Sequence, residues 1–588
     1  MEDLVDSNGT FTEHLPTGLK HERNMPPVPK NDREALDPSN PWRLYWYAGI
    51  IRERDALIDK GVWIDIPYCR ELHVLMTRFI FAYKVDEDGF VIRFKARLIV
   101  GGDKQIAGID YTDTYSPVVN IRTLRLVIAI SLLFGLEIET SDVDTAYLYA
   151  TLLIPNYARL PPCIRKYGPN GEELLIKLVK ALYGLHQSGR EWYILVSKTM
   201  VDLGFIVCAA DPCLFYKIDT AKNKILLVVI YVDDLMISSN STAIMDELKR
   251  QFKDHFSMKD QGPATWMLGI KIKRHPHGIW IGQPEYIKTV LLEHGYWENA
   301  DGTPISTRPT PMATTWVHDE SSPLLSPERH SMFRSILMKI SYIAQQTRPD
   351  IVYAVNMLSR SQSSPHECDM HALLHLLRYL RGTWDLGIHY TRSDLTPMVF
   401  NSTTDYTDLV TGYADANYAV EVGRKSRSGY AFFCCNAVIA WSTKVQTTVA
   451  LSSTEAEYTA LSAASLEALW FRNILESIQL FPRSATTIFQ DNMSTIAIAN
   501  NPIGLSKRTK HYDVKLHHVR DLIVNEKLQV VWVPTGDMIA DILTKALPAS
   551  LHWRFVELMG LTTLSKVDAI AASPAVNSLR HFVYSVAE

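Results

Sequence analysis

The sequence predicts a multidomain chain that combines α+β with α/β organisation. Three observations carry this expectation. At 588 residues the chain is too long to close around one hydrophobic core, and roughly three or four domains fit its length. Its 47% apolar and 21% charged residues are the balance of a globular protein rather than of a disordered or fibrous one. Apolar runs of strand length end repeatedly in acidic residues, first among hairpin-like segments and, beyond residue 412, in alternation with helical periods.

The stretch that organises the rest is residues 225–236. Six apolar residues run into Tyr231-Val232-Asp233-Asp234, and apolar residues then resume, as in a buried strand. Two adjacent carboxylates at the end of such a strand are costly unless a cation neutralises them, and a hard divalent ion with oxygen ligands does so most simply. A plain hairpin tip is the competing reading. Composition narrows the remainder. A net charge of −4 leaves no global electrostatic footprint for nucleic acid, so any such surface must be local. Seven cysteines without CxxC pairs or zinc-type Cys/His spacing point to a reducing compartment. The acidic N-terminus lacks a signal-peptide core, and the apolar stretch at 126–136 is too short to span a bilayer, so no membrane partner is expected.

In chain order, residues 1–44 are polar and include Met25-Pro-Pro-Val-Pro29, which reads as a poorly ordered arm. An amphipathic helix is expected over 46–60. Strands are expected over 76–84 and 90–100, joined by a turn at Asp86-Glu-Asp-Gly89. The second strand carries Arg93, Lys95 and Arg97 at alternate positions, hence on one face, as a triphosphate or nucleic-acid backbone would require; a solvated sheet face is the bland alternative. A helix over about 121–134 precedes Leu136-Glu-Ile-Glu-Thr-Ser-Asp142-Val-Asp144-Thr-Ala-Tyr147. If 137–143 is a strand, Asp142 and Asp144 share a face, and strands that each end in acids bring carboxylates together for two Mg²⁺ ions and in-line phosphoryl transfer.

A family resemblance appears on these residues. Tyr231-Val-Asp-Asp234 resembles the metal-binding motif of reverse transcriptases, and Asp142-Val-Asp-Thr-Ala-Tyr147 is similar to their other catalytic motif. Lys95-Ala-Arg-Leu98, Gly108-Ile-Asp-Tyr111, Lys180-Ala-Leu-Tyr-Gly-Leu185, Met258-Lys-Asp260 and Thr347-Arg-Pro-Asp350 resemble, in wording and order, the copia-type LTR retrotransposon polyprotein over roughly residues 45–560. The resemblance implies a right-hand polymerase followed by an RNase H-like α/β domain. Asp142, Asp233 and Asp234 would bind metal, with Tyr231 beside them. Tyr147 would be a steric gate against ribonucleotides. Gln187 would line the nucleotide pocket, and Lys95 and Arg97 would meet the triphosphate. Leu268-Gly269-Ile270 would form the primer grip.

A second set of acids follows. Gly412-Tyr-Ala-Asp415 ends a strand, Ser452-Ser-Thr-Glu455 reads as a capping box opening a long helix with Glu457, Thr486 to Asp491 is another strand ending in an acid, and Asp541 sits in a short helix. This order resembles the RNase H fold, with Asp415, Glu457, Asp491 and Asp541 as its four carboxylates. His511, His517 and His518 read as polar or substrate-contacting residues rather than a zinc site.

The domains expected are an arm (1–44), fingers and palm (45–275), thumb and linker (276–330), connection (331–405), the RNase H-like domain (406–548) and a C-terminal tail (549–588). The implied cofactor is Mg²⁺ (or Mn²⁺), two per active site. The implied partners are RNA template, DNA primer, RNA–DNA hybrid and dNTPs, with the element's capsid and integrase proteins as further candidates. The implied setting is intracellular, a cytoplasmic virus-like particle with nuclear entry left open. With no zinc-knuckle cysteines, protease motif or integrase head in the sequence, the chain is expected to be the C-terminal end of such a polyprotein. Departures from the family at Gly101-Gly102-Asp103 and Leu148-Tyr149-Ala150 keep two alternatives open: a chain with RNase H activity alone, or a catalytically decayed nucleic-acid-binding remnant.

Overall fold

The structure is a computed structural model that describes residues 24–85, 90–392, 398, 409–501 and 513–572. The expected turn at 86–89 and His511 lie outside the described residues. Among the described residues, four sheets carry the fold. The first has strand order Trp63–Pro67, Leu174–Lys180, Thr151–Arg159, Val74–Val85, Val91–Val100. Strict alternation in its long hairpin sends Phe79, Phe81, Phe94, Ala96 and Leu98 inward, against Trp46 of the helix Arg43–Asp59. That helix approaches closely at Gly49, where a Cβ would lie 2.9 Å from the Phe94 carbonyl oxygen.

The second sheet is antiparallel, in the order Met258–Pro263, Glu137–Val143, Asp234–Ser239, Lys224–Tyr231, Leu214–Asp219, Ile206–Val207. Its strand Lys224–Tyr231 is apolar at every interior position because both faces are covered. Ile225, Leu227 and Val229 join one core, while Leu226, Val228 and Ile230 join another.

The third sheet joins Trp266–Met267, Ile270–His275, Gly278–Gly282, Leu386–Thr391 and Leu561–Thr563. Beside it the helices Pro284–Glu293, Pro327–Gln346, Val352–Ser359 and Glu367–Gly382 enclose their own core. The Thr347-Arg-Pro-Asp350 phrase is fully buried here: Arg348 grips Asp350 through two bonds of 2.8 and 2.7 Å, and Tyr379 donates to the same carboxylate at 2.8 Å. It therefore serves as scaffold.

The fourth sheet has the order Ala437–Val445, Arg427–Cys434, Thr411–Asn417, Thr486–Gln490, Leu528–Trp532. The last two strands run parallel to Thr411–Asn417, and the helix Ser453–Ser477 connects the halves. Buried Arg125, on the helix Ile121–Leu133, pins this sheet to the rest by donating to the carbonyls of Ile439, Gln345 and Gln346 at 2.7, 2.9 and 2.7 Å.

Two boundary expectations need correction. The arm does not extend to residue 44: Asn31 caps a short helix Asp32–Ala35, and the Tyr83 hydroxyl donates to the Pro26 carbonyl at 3.0 Å. Nor does a tail begin at 549. The helix Ala549–Leu558 buries His552 against Tyr379, and Leu561–Thr563 closes the third sheet because it pairs with Leu386–Thr391. Among the described residues, no helix is long and apolar enough to cross a membrane.

Candidate functional site

Antiparallel register builds the first acidic site. Asp234 opens a strand and stands opposite both Tyr231, across the hairpin, and Asp142 at the end of Glu137–Val143. The tip of that hairpin is Val232-Asp233. Val232 adopts φ +56°, a left-handed conformation that strains a β-branched side chain. Its neighbours hold it there: Trp192 Nε1 donates to the Val232 carbonyl at 2.7 Å, and Val143 N–H donates to the Asp233 carbonyl at 2.8 Å. The electrostatics record unrelieved crowding. Burial, then Asp233, then Asp142 push the Asp234 carboxyl up to about 6. Burial, Asp233 and Asp144 also raise Asp142, while Lys259 and Lys95 act in the opposite direction. Asp144 lies just past the strand end, where it accepts from Ser257 at 3.0 Å and pairs with Lys259 at 3.2 Å.

The expected substrate residues fall in two groups. Tyr147 packs edge-on against Tyr183 with centroids 5.4 Å apart, and Arg97 lies over the other ring at 5.0 Å. Burial and then Asp233 raise the Tyr147 phenol, which places it beside the acids. Lys95 shares the Arg97 face; partial burial and then Arg97 hold its ammonium below the usual lysine range. Gln187 is placed differently from the expectation. It is 3% exposed, and both ends of its amide are engaged, accepting from Gln105 and donating to the Asp110 carbonyl, each at 3.0 Å. It braces a loop against the start of the helix Ser188–Asp202.

Leu268 and Gly269, both at positive φ, form the two-residue turn between Met267 and Ile270. The Tyr342 hydroxyl donates to the Leu268 carbonyl at 2.9 Å, and a Cβ on Gly269 would lie 2.9 Å from that hydroxyl. Burial, then Tyr286, then Tyr231 raise the Tyr342 phenol, so the turn and the Asp-Asp hairpin share one neighbourhood.

The departures from the family are accommodated. A Cβ on Gly102 would sit 2.0 Å from the Gly184 carbonyl, so glycine is required there. Exposed Asp103 pairs with Lys104 at 3.5 Å. The Tyr149 hydroxyl accepts from Ser257 N–H at 2.8 Å, and Lys60 lies 4.0 Å over its ring.

The second acidic site is more enclosed. Asp415 and Glu457 are 4% and 8% exposed, and their ligand oxygens lie with that of Asp491 all within 4.8 Å of one another. Burial raises Asp415, and burial followed by Asp415 and Asp491 raises Glu457. Thr544 donates to Asp415, and Lys545 pairs with Asp541 at 2.8 Å, one helical turn away. Gln490 donates to Glu457 at 3.4 Å while accepting from the Asp491 and Asn492 N–H groups. The sequence reading missed Thr544, Lys545 and Gln490; a lysine four residues after Asp541 was the available signal. Both centres offer oxygen donors only, the set that suits Mg²⁺ or Mn²⁺.

Residues 61–313 match the family described as reverse transcriptase (RNA-dependent DNA polymerase). The chain is 31% identical over 541 residues to the retrovirus-related Pol polyprotein from transposon TNT 1-94 of Nicotiana tabacum, covering 91% of this chain and 39% of that protein. It is also 31% identical over 519 residues to the Pol polyprotein from transposon RE1 of Arabidopsis thaliana, covering 88% of this chain and 34% of the relative. It thus spans less than half the length of these relatives. Among solved structures, a foamy viral protease-reverse transcriptase in complex with double-stranded DNA is similar, with a TM-score of 0.43 and 11% identity over 83% of this chain and 69% of that one. The chain carries a reverse transcriptase domain over residues 61–313 and is, over most of its length, a homologue of the Pol polyproteins of plant copia-type transposons.

Proposed function

We propose that the chain is an RNA-directed DNA polymerase with an attached RNase H, copying RNA into DNA from a primer 3′ hydroxyl and degrading the RNA of the resulting hybrid. The observation that carries this reading is the register that sets Asp142 opposite Asp234, with Asp233 on the strained turn between strands. The first sheet serves as fingers, the second as palm, the Leu268–Gly269 turn and its helices as thumb and connection, and the fourth sheet as the RNase H-like domain.

Asp142, Asp233 and Asp234 would hold Mg²⁺ or Mn²⁺, which would supply Lewis acidity toward the primer oxygen and the transferred phosphoryl group. Lys95 and Arg97 neutralise the incoming dNTP. Tyr147, backed by Tyr183, presses on the sugar and excludes a 2′ hydroxyl. The Leu268–Gly269 backbone, fixed by Tyr342, positions the primer end beside Tyr231. In the second centre Asp415, Glu457, Asp491 and Asp541 hold the same class of ion, while Lys545 and Thr544 orient Asp541 and Asp415. The intact packing around Gly102 and Tyr149 supports an active chain over a decayed one.

The test is extension of a DNA primer annealed to a homopolymeric RNA template, with Mg²⁺ and with Mn²⁺. Extension by the parent chain and its loss in Asp233→Ala supports the reading. Absence of extension from folded parent protein, or full activity in the variant, refutes it.

A further inference from the structure

We infer that His318, His366, Cys368 and Asp369 form a structural zinc site, remote in sequence from both acidic centres and independent of the polymerase reading. Asp369 lies in the first turn of the helix Glu367–Gly382, and its carboxylate is fully buried. Its Oδ1 accepts from His318 Nδ1 at 3.0 Å and from Ser361 Oγ at 3.1 Å, and its Oδ2 accepts from the His366 N–H at 2.8 Å. A buried carboxylate demands a cation, yet Arg329, on the neighbouring helix, is turned instead to Glu367.

The other donors converge on that carboxylate. Ligand atoms of His318, Cys368 and Asp369 all lie within 4.8 Å of one another. Cys368 Sγ makes only a long contact, 3.6 Å, to the Asp319 carbonyl. The His366 ring caps its own helix by accepting from the Asp369 N–H, with Nδ1 3.9 Å from Asp369 Oδ2 and the ring edge-on to that of His318 at 5.1 Å. His318, Cys368 and Asp369 supply three ligands of a zinc rather than a magnesium set, and His366, outside that cluster in this structure, would complete the tetrahedron by turning from its cap. The backbone already brings the segments together. Leu325 N–H donates to the Pro365 carbonyl at 3.0 Å, and Glu367 N–H to the Pro323 carbonyl at 2.9 Å. Binding releases the Cys368 thiol proton to solvent, uses neutral imidazole nitrogens and changes no oxidation state. The ion would staple the segment before residue 325 to the helical unit.

The probe is Co²⁺ alone, titrated into chelator-treated full-length chain and then displaced by Zn²⁺. The expected result is a thiolate-to-cobalt charge-transfer band that saturates at one equivalent and disappears in Cys368→Ser. His318→Gln should weaken Co²⁺ binding by roughly tenfold or more, and Asp415→Asn should leave the band intact. Because Cys368→Ser could misfold, alkylation of the parent chain is followed in parallel: Zn²⁺ should protect Cys368 and leave exposed Cys69 reactive. Absence of the band in folded parent protein, its persistence in Cys368→Ser, or equal alkylation of Cys368 with and without Zn²⁺ would mean an ordinary His–Asp hydrogen bond and overturn the site.

Discussion

Replacing Asp234 by Asn should stabilise the metal-free chain while abolishing polymerisation. Burial and the neighbouring acids raise the Asp234 carboxyl from an ordinary 3.8 to about 6 in the folded state. The folded protein therefore holds this proton more tightly than the unfolded chain. Below pH 3.8 both states are protonated and the group costs nothing. As pH rises towards 6 the unfolded state ionises first, stability falls, and above 6 the full penalty remains. At about 1.4 kcal/mol per pH unit, the penalty at neutral pH is roughly 3 kcal/mol. Asp234 is only partly buried, so solvent screening reduces this to about 1–2 kcal/mol. Urea unfolding in EDTA at pH 7.5, followed by tryptophan fluorescence, should show Asp234→Asn more stable by that amount. The gain should vanish near pH 4 and shrink in Mg²⁺, which stabilises the parent more because only the parent keeps the first centre intact. An Asn variant no more stable than the parent at pH 7.5, or a gain indifferent to pH, would refute the reasoning.

Other perturbations test the scaffold and the substrate contacts. Asp350→Asn leaves fully buried Arg348 without its anion and should cost roughly 3–5 kcal/mol by chemical denaturation; a loss below about 1 kcal/mol would contradict the buried pair. Gly269→Ala meets both φ +73° and the Tyr342 hydroxyl, so it should cost about 1–2 kcal/mol. It should lower primer extension without changing hybrid cleavage, and equal losses in both assays would remove the turn from primer positioning. Tyr147→Ala should raise ribonucleotide incorporation relative to deoxynucleotide by about tenfold or more, a pocket-size effect; an unchanged ratio would end its role as a gate.

Much of the polymerase-like half was legible because its determinants are local. The period of two along Val91–Val100 put Lys95 and Arg97 on one face, and the continuous apolar run at 225–230 is what a strand between two cores requires. Asp142 and Asp234 met because one lies near the end of its strand and the other opens the antiparallel neighbour. What was not legible depended on distant partners. Gln187 was read as a pocket residue, but Gln105 and Asp110, about eighty residues upstream, capture its amide. Leu561–Thr563 looked like tail because its partner strand lies far upstream. Arg348 and Asp350 offered no chemistry in sequence because their role is to neutralise each other in a dry core. His318 and Cys368 were invisible as a pair for the same reason, being fifty residues apart with no conventional spacing.

The most direct test of the central claim uses one substrate with two readouts: a labelled RNA template annealed to a labelled DNA primer, in Mg²⁺. Polymerisation is proposed at Asp142, Asp233 and Asp234, and RNA cleavage at Asp415, Glu457, Asp491 and Asp541. The parent chain should therefore extend the primer and cut the template. Asp234→Asn should lose extension and keep cleavage, and Asp491→Asn should do the reverse. Loss of both activities in either variant, or cleavage that survives Asp491→Asn, would contradict two separate metal-dependent centres in one chain.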